Sequence, residues 1–175
     1  AFSTWPAKRR WGRAIMTKAA VMGSGSWGTA FAMVLGHAGV DVTIWSRDPK
    51  TVEQINTIHQ NRTYHPGVEL PPNVSATLSA ESALADAQYV VLAMPSQVVR
   101  ANLVQWRDAI EPSAVVISLI KGIEIGTSMR MSQVIEEVLG TPAEQVAVLS
   151  GPNLAREIVG RQPTATTVAC VDSAT

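Results

Sequence analysis

A short apolar run leads directly into a glycine-rich turn, and the turn leads into a segment with an apolar stripe at helical spacing. The run is Lys18-Ala19-Ala20-Val21-Met22, the turn is Gly23-Ser24-Gly25-Ser26-Trp27-Gly28, and the striped segment ends at Gly39. In a strand, turn and helix of this kind, Gly23 permits the tight turn, Gly25 lets the backbone approach a diphosphate, and Gly28 lets helix and strand pack closely. Free amides at the helix N-terminus favour negative charge. The pattern predicts a dinucleotide cradle.

The rest of the chain alternates between strand-like and helix-like patterns. Short β-branched or apolar runs indicate further strands at 41–45, 74–77, 88–93, 114–119, 145–149 and 164–171. Helices are indicated at 49–60, 79–85, from Pro95 onward, and at 127–139 and 152–159. Such alternation implies right-handed crossovers and a parallel sheet covered on both faces, with ligands at the carboxyl ends of the strands. We therefore expect an α/β fold with a doubly wound, mostly parallel, Rossmann-like sheet.

The stretch 61–73 separates the second helix from the third strand. It holds three prolines and a glycine, which is typical of a long surface connection. Long loops of this kind are often functional.

Composition excludes several classes of protein. With 46% hydrophobic and 16% charged residues the chain is typical of a globular protein, and its longest apolar runs are far too short to span a bilayer. The single Cys170 excludes an internal disulfide and favours a cytoplasmic location. His37, His59 and His65 lack the spacing of a metal site, and we expect each to be solvated rather than catalytic.

Positive charge is concentrated at the N-terminus, although the net charge is zero. Lys8, Arg9, Arg10, Arg13 and Lys18 precede every acidic residue. Such an arm suits a nucleic acid, an anionic lipid or an Arg-rich transit segment, but an upstream start or a cloning remnant explains it better, because Met16 lies just ahead of the first strand. We therefore set residues 1–16 apart as a basic leader, expect no nucleic-acid partner, and assign 17–175 to one NAD(P)-binding domain.

The end of the second strand is where the ribose of a dinucleotide is read. An NAD-preferring site usually presents a carboxylate there, whereas this chain has Ser46 and Arg47. The guanidinium can pair with a 2′-phosphate and the hydroxyl can donate to it. NADP is therefore favoured over NAD.

Three other strand ends carry candidate site residues. Pro95 follows the fourth strand, so its backbone is expected along the cofactor. Lys121 ends the 114–119 strand region, where an ammonium can hold an anionic substrate or stabilise a developing oxyanion. Beyond the sixth strand, Gly151 permits close backbone approach and Asn153 can hydrogen-bond a hydroxyl or carbonyl.

The ordered set GSGSWG, WSR, KGIE and SGPNLAREI resembles the N-terminal half of the bacterial type of NAD(P)-dependent glycerol-3-phosphate dehydrogenase. The resemblance covers about residues 17–175 and implies reduction of dihydroxyacetone phosphate to sn-glycerol 3-phosphate for phospholipid synthesis. It implies that Ser26, Trp27, Arg47 and Ala155 contact NADPH, that Lys121 contacts cofactor and substrate, and that Gly151 and Asn153 contact substrate. Many members carry Ser or Thr where Asn153 stands.

The resemblance also implies what is missing. The family's acid–base lysine and its phosphate ligands belong to a helical C-terminal domain that would begin beyond residue 175, so we expect no catalytic residue in this chain. We expect it to bind cofactor without normal turnover, and the full-length protein to be a homodimer acting on a small phosphorylated substrate. Two alternatives stay open: another two-domain dehydrogenase, of the ketopantoate or 3-hydroxyacid type, and a non-catalytic NAD(P) sensor.

Overall fold

Strands and helices alternate along the chain and build one seven-stranded sheet. The computed structural model describes residues 17–172, so the basic leader 1–16 lies outside the described residues. The strands are β1 Lys18–Met22, β2 Asp41–Trp45, β3 Val74–Thr77, β4 Tyr89–Leu92, β5 Val115–Ser118, β6 Val146–Ser150 and β7 Thr167–Ala169. The helices are α1 Ser26–His37, α2 Pro49–Ile58, α3 Ala80–Leu84, α4 Val99–Trp106, α5 Met131–Leu139 and α6 Ala155–Val159.

The order of the strands places a crevice at the middle of the sheet. Spatially they run β3-β2-β1-β4-β5-β6-β7, and the first six are parallel to one another. The chain therefore leaves β1 toward one edge and returns to pair β4 on its other side. Ligands bind outside the carboxyl ends of the strands at such a switch point. The mostly parallel, doubly wound sheet is confirmed.

The sheet is covered on both faces because its central strands alternate their buried side chains. Met22 and Leu92 face a cluster shared with α3, α4 and α5, whereas Val21 and Val91 face a cluster shared with α1 and α2. Both clusters are almost fully inaccessible to water, which gives the fold most of its stabilising apolar burial.

The start of α2 shows how local sequence fixes an element beside the crevice. Asp48 is the N-cap and Pro49 the first helical residue, as predicted. The Asp48 carboxylate accepts from the Thr51 hydroxyl at 2.7 Å and from the amides of Lys50 and Thr51 at 3.1 and 3.2 Å. These bonds, led by that from the Thr51 hydroxyl, lower the pKa of Asp48 below its ordinary value.

Three predicted helices start later than expected. The helix predicted at 127–139 starts at Met131, because Gly126 and Ser128 have positive φ and the Ser128 amide closes a turn onto the Glu124 carbonyl. The helix predicted from Pro152 starts at Ala155, because the Asn153 amide bonds to the Gly151 carbonyl and makes a tight turn first. At Pro95 the chain forms a 3₁₀ turn, Ser96–Val98, before α4 begins.

The prediction for the last strand is wrong in its bounds. The pattern predicted a strand over 164–171, but β7 covers only Thr167–Ala169, and it is the one strand of this sheet, within residues 17–172, that runs antiparallel to its neighbour β6. A two-residue alternation states which residues share a face and carries no information on strand direction.

The connection between α2 and β3 is not simply a surface loop. Asn61, His65 and Leu70 are buried, and the prediction that His65 is solvated is wrong, since 4% of it is exposed. The Asn61 amide donates to the Ser24 carbonyl and to Thr29 Oγ1, both at 2.9 Å, and His65 Nε2 lies 2.8 Å from the Ser26 carbonyl oxygen. These bonds satisfy polar groups that burial would otherwise leave unpaired. Through these bonds, the connection 61–73 holds the glycine-rich turn in place.

Candidate dinucleotide-binding site

The three glycines of the first turn have different environments. A Cβ on Gly23, whose φ is +134°, would overlap the Ala93 carbonyl, and a Cβ on Gly28 would overlap the Gly23 carbonyl. Gly28 therefore lets α1 pack closely on the strand before it, as predicted, and Gly23, which was predicted only to permit the tight turn, also lets the end of β4 approach. A Cβ on Gly25 would meet no atom within 4 Å. The space beside the Gly25 backbone is open to a ligand.

The N-terminus of α1 adjoins that open space. Its N-cap is Gly25, no side chain caps it, and its first turn holds no acidic residue. The first intrahelical bond is from the Thr29 amide to the Gly25 carbonyl at 2.9 Å, so the preceding amides have no partner within the helix. Uncapped amides aligned with the dipole of a helix of this length suit a phosphate group.

The turn is held in place by hydroxyl and amide contacts. The hydroxyls of Ser24 and Ser46 lie 2.7 Å apart, which ties the turn to the end of β2. The Ser24 carbonyl accepts from the Thr29 hydroxyl at 3.2 Å as well as from Asn61. The ledge at Gly25 is therefore preorganised, which lowers the entropic cost of binding.

Two clefts meet at this ledge. One has a volume of about 340 Å³ and the other about 280 Å³. Both are lined by Gly25, Ala93, Met94 and Pro95. A ligand whose centre rests at Gly25 can therefore extend into both, as an elongated dinucleotide requires. A diphosphate fits the open space beside the Gly25 backbone, and the two clefts fit the nucleosides on either side of it.

The first cleft lies over the ends of β1, β2 and β4 and contains both residues proposed to read the ribose. Arg47 is exposed, lines this cleft and takes part in none of the ion pairs among residues 17–172. Ser46 is only 1% exposed, and its Oγ accepts from the Asp48 amide at 3.1 Å. Arg47 is therefore free to pair with a phosphate, whereas the Ser46 hydroxyl supports the loop.

Sequence reasoning missed part of this cleft. Its further lining residues include Thr63, Tyr64, Val98 and Asn102. Thr63 and Tyr64 belong to the long connection after α2, whose length was the available signal. The contributions of Val98 and of α4 depend on how the chain folds in space and leave no local pattern.

The second cleft holds Ser26, Trp27 and Lys121. Lys121 is exposed at the end of the β5 region, beside the start of α1. Trp27 is half-buried with its ring centroid 6.1 Å from that of Phe31, and Ser26 Oγ lies 3.3 Å from His65 Nε2. Because Lys121 is exposed and lines this cleft, its ammonium can contact an anionic ligand there.

Gly151, Asn153 and Ala155 come after β6 and line neither cleft. Gly151 has φ +148°, and a Cβ there would lie 2.7 Å from the Ala165 carbonyl oxygen, so the backbone that approaches it is the chain's own. Asn153 is 7% exposed and donates to Thr166 Oγ1 at 3.1 Å, while Ala155 is half-buried at the start of α6. These residues lie one strand away from the Lys121 cleft.

Residues 17–172 lack the features of two other classes of site. No helix in this part of the chain has the length and apolar character needed to cross a membrane. No group of His, Cys, Asp or Glu side chains within the same residues could hold a metal ion.

Comparisons with known proteins agree with this geometry. A family model described as the N-terminus of NAD-dependent glycerol-3-phosphate dehydrogenase matches residues 18–175. The chain is 55% identical over 161 residues to glycerol-3-phosphate dehydrogenase [NAD(P)+] of Thermobifida fusca, and 58% identical over 164 residues to that of Nocardia farcinica. Each alignment covers 91% of this chain and 48% of the relative. The chain thus spans about half the length of the curated relatives it matches.

A solved structure gives the same result. The crystal structure of glycerol-3-phosphate dehydrogenase from Coxiella burnetii matches with a TM-score of 0.83 at 28% identity. The match covers 90% of this chain and 48% of that one.

Proposed function

Because the chain belongs to the NAD-dependent glycerol-3-phosphate dehydrogenase family, we propose that residues 17–175 form the NAD(P)-binding domain of an enzyme that interconverts glycerol 3-phosphate and dihydroxyacetone phosphate. The oxidation converts the C2 alcohol into a ketone: the hydride from C2 would go to a bound nicotinamide, and the hydroxyl proton would go to a base outside this chain. In this proposal the chain binds and orients the cofactor, and the product serves phospholipid synthesis.

One observation carries the proposal. The uncapped N-terminus of α1 meets open space at Gly25, and a cleft extends from that point in each direction. The amides there hold the diphosphate, the first cleft holds the adenosine half, and the second holds the nicotinamide half beside Ser26 and Trp27. Pro95 lines both clefts, which supports the proposal that its backbone lies along the cofactor.

Of the residues in this chain, Lys121 is the one that we propose lies nearest the reacting C2 atom of the substrate. Its ammonium lies in the second cleft, where it can bind the cofactor and stabilise negative charge on the substrate oxygen at C2. Ala155 remains a proposed cofactor contact, and Gly151 and Asn153 remain proposed substrate contacts. The family resemblance supports these three, together with the adjacency of β5 and β6. Asn153 keeps a second amide proton for substrate, because the bond to Thr166 uses only one.

We also propose that NADP is preferred, with Arg47 pairing with the 2′-phosphate. Arg47 lines the first cleft without an ion-pair partner among the described residues, and the acid in that cleft, Asp48, already accepts from the start of α2.

Coenzyme titration tests this preference. Arg47→Ala should weaken NADPH binding by roughly 1 to 3 kcal/mol and leave NADH nearly unchanged, as for loss of a charge-assisted contact. Arg107→Ala is the matched control, since that arginine lines neither of these clefts. Equal weakening of both coenzymes would contradict the 2′-phosphate role.

The reaction is tested in an extended protein of the relatives' length that carries this chain. NADPH oxidation with dihydroxyacetone phosphate, and none with ketopantoate, is the expected result. Tight cofactor binding without activity on either would instead support a sensor.

The remaining parts of the proposal are a homodimer and a cytoplasmic location. The family resemblance supports the first, and the single cysteine supports the second. Light scattering of the extended protein tests the dimer.

A further inference from the structure

The turn that carries Lys121 is not held by the burial of its isoleucine side chains. It runs from Lys121 to Gly126 between β5 and α5, and Ile123 and Ile125 within it are 54% and 81% exposed. Gly122 adopts φ +115°, which favours glycine. Such a turn is expected to be mobile unless polar contacts hold it.

Arg100 of α4 holds the middle of the turn through Glu124. Its guanidinium makes a bidentate ion pair with that carboxylate, at 2.9 Å from Nε and 3.0 Å from Nη2. The other arm, Nη1, lies 2.7 Å from Glu137 of α5. The fork geometry fixes orientation as well as distance.

Glu124 is committed to this contact. It is 9% exposed, and its Oε2 also accepts from the Thr127 hydroxyl at 2.6 Å. The bond from Arg100, followed by that from Thr127, holds the pKa of the Glu124 carboxyl below its ordinary value. The carboxylate is therefore charged at neutral pH, and the ion pair is in place.

Gln97 holds the same turn by its backbone. Its Nε2 donates to the Ile123 carbonyl at 2.8 Å, and its Oε1 accepts from the Ile125 amide at 2.9 Å. Gln97 lies in the 3₁₀ turn after β4, so it ties the ends of two neighbouring strands together. The two contacts of Gln97 therefore fix the residues just before and just after Glu124.

Lys121 itself is left free by this arrangement. It makes none of the side-chain hydrogen bonds or ion pairs found among residues 17–172, and it lines the second cleft. The backbone two to four residues beyond it is fixed, while its ammonium stays available to a ligand.

We infer that Gln97, Arg100 and Glu124 are positioning residues that hold the Lys121 turn against the nicotinamide half of the cofactor site. The inference rests on the proposed function, because it assumes that Lys121 contacts the cofactor. It adds residues outside the cradle, on α4 and the turn before it, to those that set the affinity for the cofactor.

The test compares two ligands on the whole chain. NADPH fills both clefts, whereas 2′,5′-ADP lacks the nicotinamide half and fills the first. Lys121→Ala should weaken NADPH about tenfold, as for loss of a charge-assisted contact, with 2′,5′-ADP unchanged. Arg100→Met should weaken NADPH about three- to tenfold by letting the turn move, again with 2′,5′-ADP unchanged.

A double variant separates positioning from general damage. If Arg100 acts through Lys121, Lys121→Ala/Arg100→Met should bind NADPH no more weakly than Lys121→Ala alone. Gln97→Met removes the contacts of Gln97 to the Ile123 carbonyl and the Ile125 amide. Because Gln97 is exposed, this variant should fold and can replace Arg100→Met in the test if Arg100→Met does not fold. Lys18→Met is the matched control, since it breaks the 3.2 Å ion pair with Asp86 at the amino end of β1.

The failures are distinguishable. No NADPH binding by the unmodified chain would overturn the proposed function. An unchanged affinity in Lys121→Ala would overturn the role of Lys121 and the inference with it. If Lys121→Ala weakens NADPH, the inference alone is overturned by unchanged NADPH affinity in Arg100→Met and Gln97→Met, by equal loss of 2′,5′-ADP, or by additive loss in the double variant.

Discussion

Among the glycine turns that connect parallel strands to helices within residues 17–172, those at Gly25 and Gly151 differ in what lies beside the glycine. The turn Gly23–Gly28 leads into the twelve-residue α1, and the space beside Gly25 is open. The turn at Gly151 leads into the five-residue α6, and the chain's own Ala165 backbone fills the space beside it. The same kind of turn leaves open space beside its glycine in one place and is covered by a returning segment of the chain in the other. Whether the space beside the glycine is open or covered depends on the path that the chain takes after each turn.

The largest effect should come from filling the closely packed part of the first turn. Gly23→Ala should lower the free energy of unfolding by about 2 to 6 kcal/mol, because it combines positive-φ strain with a clash against the Ala93 carbonyl. Urea denaturation measures it. Gly39→Ala is the control, since Gly39 has φ +87° but open space and should show the strain alone. A Gly23→Ala variant no less stable than the Gly39→Ala control would contradict the close approach of β1 and β4.

Filling the open part of the same turn should affect binding rather than folding. Gly25 has an ordinary φ of −68° and no neighbour to meet, so Gly25→Ala should cost no more than about 1 kcal/mol of stability, chiefly at the N-cap. NADPH affinity should fall about ten- to hundredfold, because the added methyl occupies the ledge. Isothermal titration beside denaturation separates the two effects. Unchanged affinity would place the diphosphate elsewhere.

The local patterns predicted the first half of the sheet well. The bounds of β1, β2 and β3 are as expected, since each is a short apolar or β-branched run between clear turn signals. The direction of β7 was not predictable from such a pattern, because it depends on a return across 160–166 that has no local signature. Thr127 looked like a helix start, and only the contacts of Glu124 show why the helix begins at Met131.

The residues of the candidate site also divide into those that local sequence patterns predict and those that they do not. Gly23, Gly25 and Gly28 were predictable because a cradle requires glycine at those spacings. Asn61 and His65 were not, because polar residues in a proline-containing connection give no sign that they will be buried against the glycine turn. The ties from Gln97 and Arg100 to the Lys121 turn join residues more than twenty positions apart and exist only in the folded chain.

A smaller effect is expected at the second glycine turn. Gly151→Ala should cost about 1 to 2 kcal/mol of stability from strain at φ +148°, less than at Gly23, because the exposed segment around Ala165 can shift. NADPH affinity should stay within about twofold of the wild type, since Gly151 lines neither cleft. A large loss of NADPH affinity would show that both turns serve the cofactor and would remove the contrast between them.

The smallest effect concerns the bond that closes the second turn. Asn153→Ala removes the contact to Thr166 Oγ1 and should cost about 0.5 to 1.5 kcal/mol of stability, as is usual for one neutral hydrogen bond. Thr166→Val breaks the same bond from the other side, so the double variant should be little worse than either single one. NADPH affinity should not change in any of the three. If denaturation instead shows additive losses, the two side chains act independently, and Asn153 would be free to turn toward a substrate in the neighbouring crevice even before one binds.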